Sequence, residues 1–283
     1  MGGINWFPGH MHSARKDFVQ IISKVDIVLE LVDARAPRAS SNPLTKEICS
    51  KYQKLVLKVI NKVDLADSQV TKSWVNYFKL NNFGKTILLS AKKQNINGKI
   101  IANCRELIGK NLSPDYHIKI LIAGIPNVGK STIFNSLANR KVAKVADLPA
   151  VTRKQRTLGL NGEKIKIIDT PGLLWPKIHD ERTGKILAAN NNIGQNAFQE
   201  VDVAQFLVEF LTVHYPENLN KRYGVEELNN DGASLLTEIA PKKKLIERGN
   251  VPNIRRAANI LLRDYRAGYL GRISLENPVK YRD

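Results

Sequence analysis

The chain has 283 residues, of which 43% are hydrophobic, enough for a sizeable core in one large or two medium domains. Lysine and arginine total 44 against 26 aspartate and glutamate residues, and the formal net charge of +18 predicts a polyanionic partner, nucleic acid rather than a membrane. The two cysteines are far apart and lack CxxC spacing, which disfavours a disulfide framework or zinc site, and the absence of a secretory pattern or a membrane-length apolar run predicts a cytoplasmic protein.

Short apolar segments alternate with helix-length segments over the first 175 residues. Most of the short ones are rich in Val, Ile and Leu, as in strands buried on both faces. They are Val25–Ala34, Lys54–Lys62, Thr86–Ala91, Ile118–Gly124, Arg156–Leu160 and Lys164–Thr170. Helices are predicted over about 12–24, 41–51, 68–81, 94–110 and 130–140. The sequence NGE at 161–163 predicts a hairpin between the last two strands, and the whole pattern predicts an α/β fold with a doubly wound, mostly parallel sheet.

Beyond Pro176 the strand pattern stops. Three segments there have helical spacing of their apolar residues: Ala197–Tyr215, Gly232–Gly249 and Pro252–Ile273. The sequence therefore predicts two domains, an α/β domain over 1–176 and a small all-α C-terminal domain over 177–283.

The stretch GIPNVGKST, residues 124–132, fits the phosphate-binding pattern GxxxxGK[ST] between a predicted strand and a predicted helix. Its glycines let backbone amides surround phosphates at a helix N-terminus. Lys130 is expected to reach the β- and γ-phosphates, and Ser131 to ligate Mg²⁺. The predicted nucleotide-binding residues of this loop are Asn127, Val128, Gly129, Lys130, Ser131 and Thr132.

The sequence DTPG at 169–172 follows another predicted strand. Asp169 is expected to hold Mg²⁺ through a water, and the Gly172 amide to contact the γ-phosphate. Thr152 lies between the two phosphate motifs, where a switch threonine would bind Mg²⁺ in the triphosphate state only. An ordinary loop threonine is the alternative for Thr152.

The sequence NKVD at 61–64 fits a guanine-binding motif. The Asp64 carboxylate can accept the N1 and N2 protons of guanine, which adenine does not offer, so ATP would leave it unpaired. Asn61 can donate to the purine edge, and the Lys62 side chain can lie along the ring. Ser90 and Ala91, in the sequence SAK after the third strand, place backbone amides near the guanine oxygen.

The guanine motifs precede the phosphate loop, the reverse of the usual order. Each motif follows its own strand, so the sheet needs these loops adjacent in space rather than in sequence. Joining the usual termini and opening the chain elsewhere would keep the same sheet, because native termini often lie close together. The segment after DTPG then leads directly into the C-terminal domain, so we expect nucleotide state to move that domain. Identical scattering profiles with GDP and a GTP analogue would exclude such movement.

This motif order resembles that of the circularly permuted P-loop GTPases. The segments Ile4–Lys16, Asp33–Pro37, Asp169–Lys177 and Gly268–Glu276 closely resemble the ribosome biogenesis GTPase A family. The resemblance spans nearly the whole chain. It implies a Mg²⁺-dependent GTPase, using GTP and GDP and stimulated by the large ribosomal subunit, that assists late maturation of the large-subunit precursor and binds ribosomal RNA through its helical domain. We expect a monomer.

A water-orienting glutamine is absent after DTPG, where Leu173 stands. The resemblance implicates His10 instead, with His12 as a neighbour, and an imidazole titrates near neutrality. The predicted catalytic residues are His10, Lys130 and Thr152. Asn127 resembles the asparagine of GTPases that use K⁺ as an extra activating charge, and an ordinary loop asparagine is the alternative. Ala150 stands where the family generally has glycine, which weakens the assignment of Thr152.

Nine basic residues and two acidic ones lie between Pro241 and Arg272. The predicted RNA-binding residues are Lys242, Lys243, Arg255, Arg256, Arg263 and Arg266, the four arginines sharing a solvent face opposite an apolar stripe. Tyr265 and Tyr269 are candidates to stack on bases, although Tyr265 also fits the core. The alternatives are a charged helix that binds only solvent, a signalling or transport GTPase with protein partners, and an RNA-binding scaffold that uses GTP structurally.

Overall fold

A computed structural model gives the fold. It describes residues 18–91, 96–109, 113, 115–138, 156–160, 164–169, 178, 180–194, 197–225 and 231–281. Within this part of the chain, no helix combines the length and apolar character needed to cross a bilayer.

A six-stranded sheet forms the N-terminal unit. Its strands are β1 (Ile27–Asp33), β2 (Leu55–Asn61), β3 (Lys85–Leu88), β4 (Ile118–Ala123), β5 (Arg156–Leu160) and β6 (Ile165–Asp169), in the order β3-β2-β1-β4-β6-β5. All neighbouring pairs are parallel except β5 with β6, which is antiparallel. This confirms the predicted mostly parallel sheet and its antiparallel pair.

The strand order explains how a reversed motif order yields one site. The first three strands form one half of the sheet, and β1 pairs directly with β4 at the centre. The loops after β2 and β4 therefore flank the end of β1 at the carboxyl edge of the sheet. Motifs some sixty residues apart in sequence become neighbours, as the permutation hypothesis requires.

Helices cover both faces of this sheet, as a sheet buried on both faces requires. They are α1, which includes residues 18–23, α2 (Pro43–Lys51), α3 (Ser68–Leu80), α4 (Asn97–Ile108) and α5 (Lys130–Leu137). Capping explains where two of them begin: Asn42 accepts from the Leu44 amide ahead of α2, and Asp67 accepts from the first-turn amides of α3.

The C-terminal unit is mainly helical. It contains α6 (Glu181–Ala189), α7 (Glu200–His214), α8 (Pro216–Tyr223), α9 (Gly232–Lys242) and α10 (Ile254–Ala267), followed by a 3₁₀ turn over Pro278–Tyr281. The apolar residues of α7 face this group of helices, with Val203, Leu207 and Leu211 fully buried.

The prediction of an all-α C-terminal domain is wrong in one place. The helix predicted to Gly249 ends at Lys242, and an antiparallel pair follows, β7 (Ile246–Glu247) with β8 (Val251–Pro252). Pro241 lies in the last turn of the helix, and Lys244 has a left-handed φ of 56°. These residues end the helix, since proline offers no amide proton and a left-handed residue turns the chain.

The C-terminal segment returns to the α/β unit. The Ile273 amide donates to the Leu65 carbonyl at 3.0 Å, and the Leu275 amide donates to the Arg35 carbonyl at 2.7 Å. The Glu276 carboxylate accepts from the Ala39 amide, and its backbone carbonyl accepts from Trp74 Nε1. These bonds connect residues 273–276 to the segments after β1 and β2 and to helix α3, beside the guanine motif.

Candidate functional site: a nucleotide site at the carboxyl edge of the sheet

The phosphate loop links β4 to the N-terminus of α5. Gly124 and Gly129 have φ values of 150° and 106°, in the range that side chains disfavour. A Cβ on Gly129 would lie 2.2 Å from Nδ2 of Asn61. Glycine is therefore required where the phosphate loop meets the guanine motif.

The guanine motif contacts the phosphate loop through two side chains. Asn61 donates from Nδ2 to the Val128 carbonyl at 2.8 Å, and Lys62 donates from Nζ to the Asn127 carbonyl at 2.5 Å. The loop after β3 joins them, because the Ala91 amide donates to Asn61 Oδ1 at 3.1 Å and Ser90 Oγ donates to Asp64 Oδ1 at 2.6 Å. The structure thus brings together the three motifs predicted to bind the nucleotide.

Asp33, at the end of β1, is a residue of this site that sequence reasoning missed as a functional group. Its Oδ2 accepts from Lys62 Nζ at 2.9 Å, and Arg35 binds both carboxylate oxygens at 2.9 and 2.8 Å. Burial alone would raise the pKa of Asp33, but Arg35 and Lys62 hold it well below its usual range. An acidic residue ending a fully buried apolar strand was the signal for it.

Lys130 and Asp169 occupy the phosphate end. Lys130 is buried and donates from Nζ to the Ile125 carbonyl at 2.8 Å. Burial lowers the pKa of its ammonium to about 8, against the attraction of Asp169. Asp169 ends β6, is fully buried, and pairs in register with Ile122 of β4, just before the phosphate loop. A bound phosphate would oppose this lowering of the Lys130 pKa, because a nearby negative charge favours the ammonium form.

The donor set fits a magnesium–nucleotide complex. Ser131 is the second residue of α5, and Asp169 is the last residue of β6. A hydroxyl and a carboxylate are hard oxygen ligands of the kind that Mg²⁺ prefers. In the described ranges no three His, Cys, Asp or Glu residues group to hold a metal. Mg²⁺ is usually held by one or two protein oxygen ligands together with substrate phosphates and water.

Some predicted residues lie outside the described residues: His10, Thr152 and Gly172, together with His12, Ala150 and Leu173. Their predicted roles stay predictions. Thr132, in the first turn of α5, is half-buried.

The prediction that arginines of α10 share a solvent-exposed face is confirmed for three of the four. Arg255, Arg256 and Arg263 are exposed, whereas Ala257, Ala258, Leu261, Leu262 and Tyr265 on the opposite side are buried. The prediction that Arg266 shares the solvent face is wrong. It is half-buried and donates to the Ala189 and Ala188 carbonyls at the end of α6, both at 2.9 Å.

The other residues predicted to contact RNA also differ in exposure. Tyr265 belongs to the core, where its hydroxyl donates to Asn190 Oδ1 at 2.7 Å, while Tyr269 is 65% exposed. Lys242 is exposed and donates to Glu238 at 2.6 Å, and half-buried Lys243 donates to the Arg222 carbonyl at 3.0 Å.

The two cysteines are free and buried. Burial raises the pKa of the Cys49 and Cys104 thiols to about 12, so neither is a reactive nucleophile at neutral pH.

Comparison with known proteins agrees with this geometry. The family described as 50S ribosome-binding GTPase matches residues 119–246. Ribosome biogenesis GTPase A of Bacillus licheniformis is 38% identical over 97% of this chain and 98% of its own. The crystal structure of GNP-bound YlqF from T. maritima is 26% identical, with a TM-score of 0.66, over 94% of this chain and 98% of its own. GDP-bound TM YlqF is 28% identical, with a TM-score of 0.65, over 93% and 98%.

A permuted α/β sheet that collects a guanine motif and a phosphate loop at one edge defines a circularly permuted P-loop GTPase. The chain belongs to the ribosome biogenesis GTPase A family. It is therefore a GTPase that acts in ribosome assembly, which confirms the class and activity expected from the sequence.

Proposed function

We propose that this GTPase binds Mg²⁺–GTP between the loops after β2 and β4 and acts as an assembly switch on the precursor of the large ribosomal subunit, which it binds through ribosomal RNA. The observation that carries the proposal is the direct contact of Asn61 and Lys62 with the phosphate loop, which places two motifs that are separate in sequence side by side. We place it in the cytoplasm as a monomer.

In this site Asp64, held by Ser90, accepts the two guanine protons, and the Lys62 stem lies along the base. The amides of residues 127–132 and the Lys130 ammonium bind the phosphates. Ser131 and Asp169 hold Mg²⁺, which when bound neutralises charge on the β- and γ-phosphates.

We assign hydrolysis to three residues that lie outside the described part of the chain. His10 orients the attacking water, Thr152 ligates Mg²⁺ in the triphosphate state, and the Gly172 amide contacts the γ-phosphate. The Asn127 amide oxygen is the proposed K⁺ ligand. An Asn127 side chain that already donates at 2.7 Å to the Asn191 carbonyl is consistent with a fixed ligand position.

The proposed RNA surface consists of Arg255, Arg256 and Arg263 on α10, with Lys242 and Lys243 near the end of α9. Arginine binds phosphate with two parallel hydrogen bonds, and exposed Tyr269 offers a ring for stacking. The one-sided excess of positive charge favours RNA over a solvated helix or a protein partner.

The test is GTP turnover in KCl buffer with purified large or small ribosomal subunits. Stimulation by large subunits only is expected, and His10→Ala should abolish it while leaving GTP affinity intact. Tight GTP binding without any stimulation by large subunits would overturn the switch and favour an RNA-binding scaffold.

A further inference from the structure

We propose that the C-terminal helical unit positions the phosphate loop through the turn that follows α6, residues 190–192, here called the asparagine turn. Asn192, and Arg266 acting through the same turn, are then positioning residues for nucleotide binding. The inference rests on the phosphate-binding role proposed for the loop.

Two hydrogen bonds of opposite direction join the asparagine turn to the phosphate loop. Asn192 donates from Nδ2 to the Pro126 carbonyl at 2.7 Å, and Asn127 donates from its own Nδ2 to the Asn191 carbonyl at 2.7 Å. The Asn192 side chain and Pro126 are both buried. Paired bonds between consecutive residues on each side fix both the distance and the orientation of the two segments.

The turn itself is held by helix α6. The amides of Asn191 and Asn192 donate to the Ala188 and Leu187 carbonyls at 2.9 and 2.7 Å, and Asn191 has a left-handed φ of 59°. This closure of a helix C-terminus leaves the turn little freedom to shift on its own. The phosphate loop is therefore anchored to a rigid end rather than to a loose connection.

Helix α10 holds the same end of α6 from the other side. Tyr265 donates to Asn190 Oδ1 at 2.7 Å, and Arg266 donates through two nitrogens to the Ala189 and Ala188 carbonyls. A guanidinium at a helix C-terminus also meets the negative end of the helix dipole. Continuous contacts thus run from α10 through the asparagine turn to Pro126 and Asn127.

The consequence concerns affinity rather than chemistry. A phosphate loop binds best when its amides already point at the phosphates, because ordering them on binding costs free energy. Removing a hydrogen bond between the asparagine turn and the phosphate loop should accelerate nucleotide release, although no group that contacts the nucleotide is lost.

The test compares release of fluorescent GDP from full-length variants. Asn192→Ala and Arg266→Lys should each release GDP about five- to tenfold faster, the effect of losing roughly one hydrogen bond. Lysine keeps the charge at the end of α6 but cannot bond both carbonyls in the same geometry. Asn218→Ala is the matched control, since Asn218 donates to the Leu270 carbonyl at 2.8 Å within the helical unit, away from the loop.

Thermal unfolding midpoints, measured without nucleotide, distinguish a loss of support for the phosphate loop from a general loss of stability. The expected result is a similar loss of midpoint in all three variants, with faster release only in Asn192→Ala and Arg266→Lys. If folded Asn192→Ala releases GDP at the wild-type rate, the inference is overturned. If Asn192→Ala does not fold, a wild-type release rate in Arg266→Lys overturns it. A wild-type chain that fails to retain GDP, or a Lys130→Ala chain that retains it, instead refutes the phosphate site itself.

Discussion

The Nζ atom of Lys62 lies 2.9 Å from Oδ2 of Asp33, so the lysine of the guanine motif is held by the carboxylate that ends the neighbouring strand. The in-register pairing of Asp33 with Asn61 brings the two strand ends level. Arg35 binds the same carboxylate at 2.8 Å, so Asp33 is held by two cations at once. The guanine site thus depends on a buried ion-pair network beneath it.

Asp33→Asn should weaken both the fold and guanine nucleotide binding. The change leaves the Arg35 guanidinium buried without its ion pair and removes the anchor of Lys62, and breaking a buried pair costs about 3–5 kcal/mol. The free energy of unfolding from urea denaturation should fall accordingly, and GDP affinity, measured by calorimetry below the unfolding transition, should fall about tenfold or more.

Glu30→Gln is the matched control, because Glu30 forms a buried ion pair with Lys58 at 2.8 Å, away from the guanine motif. It should destabilise the protein and leave GDP affinity near the wild-type value. An equal loss of GDP affinity in both variants would mean that Asp33 acts only through stability.

The pH dependence of stability should carry a contribution from Glu276. Burial raises the pKa of this carboxyl to about 7 from 4.5, while the Ala39 and Arg38 amides oppose the rise. The folded protein therefore binds this proton more tightly than the unfolded chain. The resulting stabilisation is complete below pH 4.5 and is lost as pH rises through 7.

From pH 5 to pH 7 this group should lower the free energy of unfolding by roughly 2 kcal/mol. Glu276→Gln removes the titration, so the difference between urea denaturation curves at the two pH values should change by that amount. The same pH difference in wild type and Glu276→Gln would show that the carboxyl titrates normally in the fold.

Replacing Arg255, Arg256 and Arg263 together by alanine should weaken binding to large ribosomal subunits and flatten its salt dependence, because each lost phosphate contact reduces the slope by about 0.7–0.9. GDP affinity should be unchanged. Lys51, Lys72 and Lys79, exposed on α2 and α3, give a control triple of equal charge. An equal loss of subunit binding in both triple variants would mean that the α10 arginines contribute only through overall charge.

Local patterns in the sequence were sufficient for much of the fold. Each strand is a run of apolar residues, so its burial can be predicted without knowing which segment packs against it. The phosphate loop is likewise recognised from consecutive residues. The missed contacts are long-range: Asp33 meets Lys62, and Asn192 meets Pro126, 66 residues away. The solvent-exposed position predicted for Arg266 was wrong because helical spacing identifies the polar side of α10 but does not show that the last turn of α10 packs against the end of α6.

Guanine specificity depends on the Asp64 carboxylate, and one substitution at this position tests it. Asp64→Asn replaces a carboxylate that accepts two protons with an amide that donates one and accepts one, a pattern that suits xanthine rather than guanine. The measurement is the affinity of wild type and Asp64→Asn for GDP and for xanthosine diphosphate. We expect GDP affinity to fall at least a hundredfold in Asp64→Asn while its affinity for xanthosine diphosphate rises. Unchanged preference for GDP in the folded variant would contradict this expectation, because the base would then lie elsewhere.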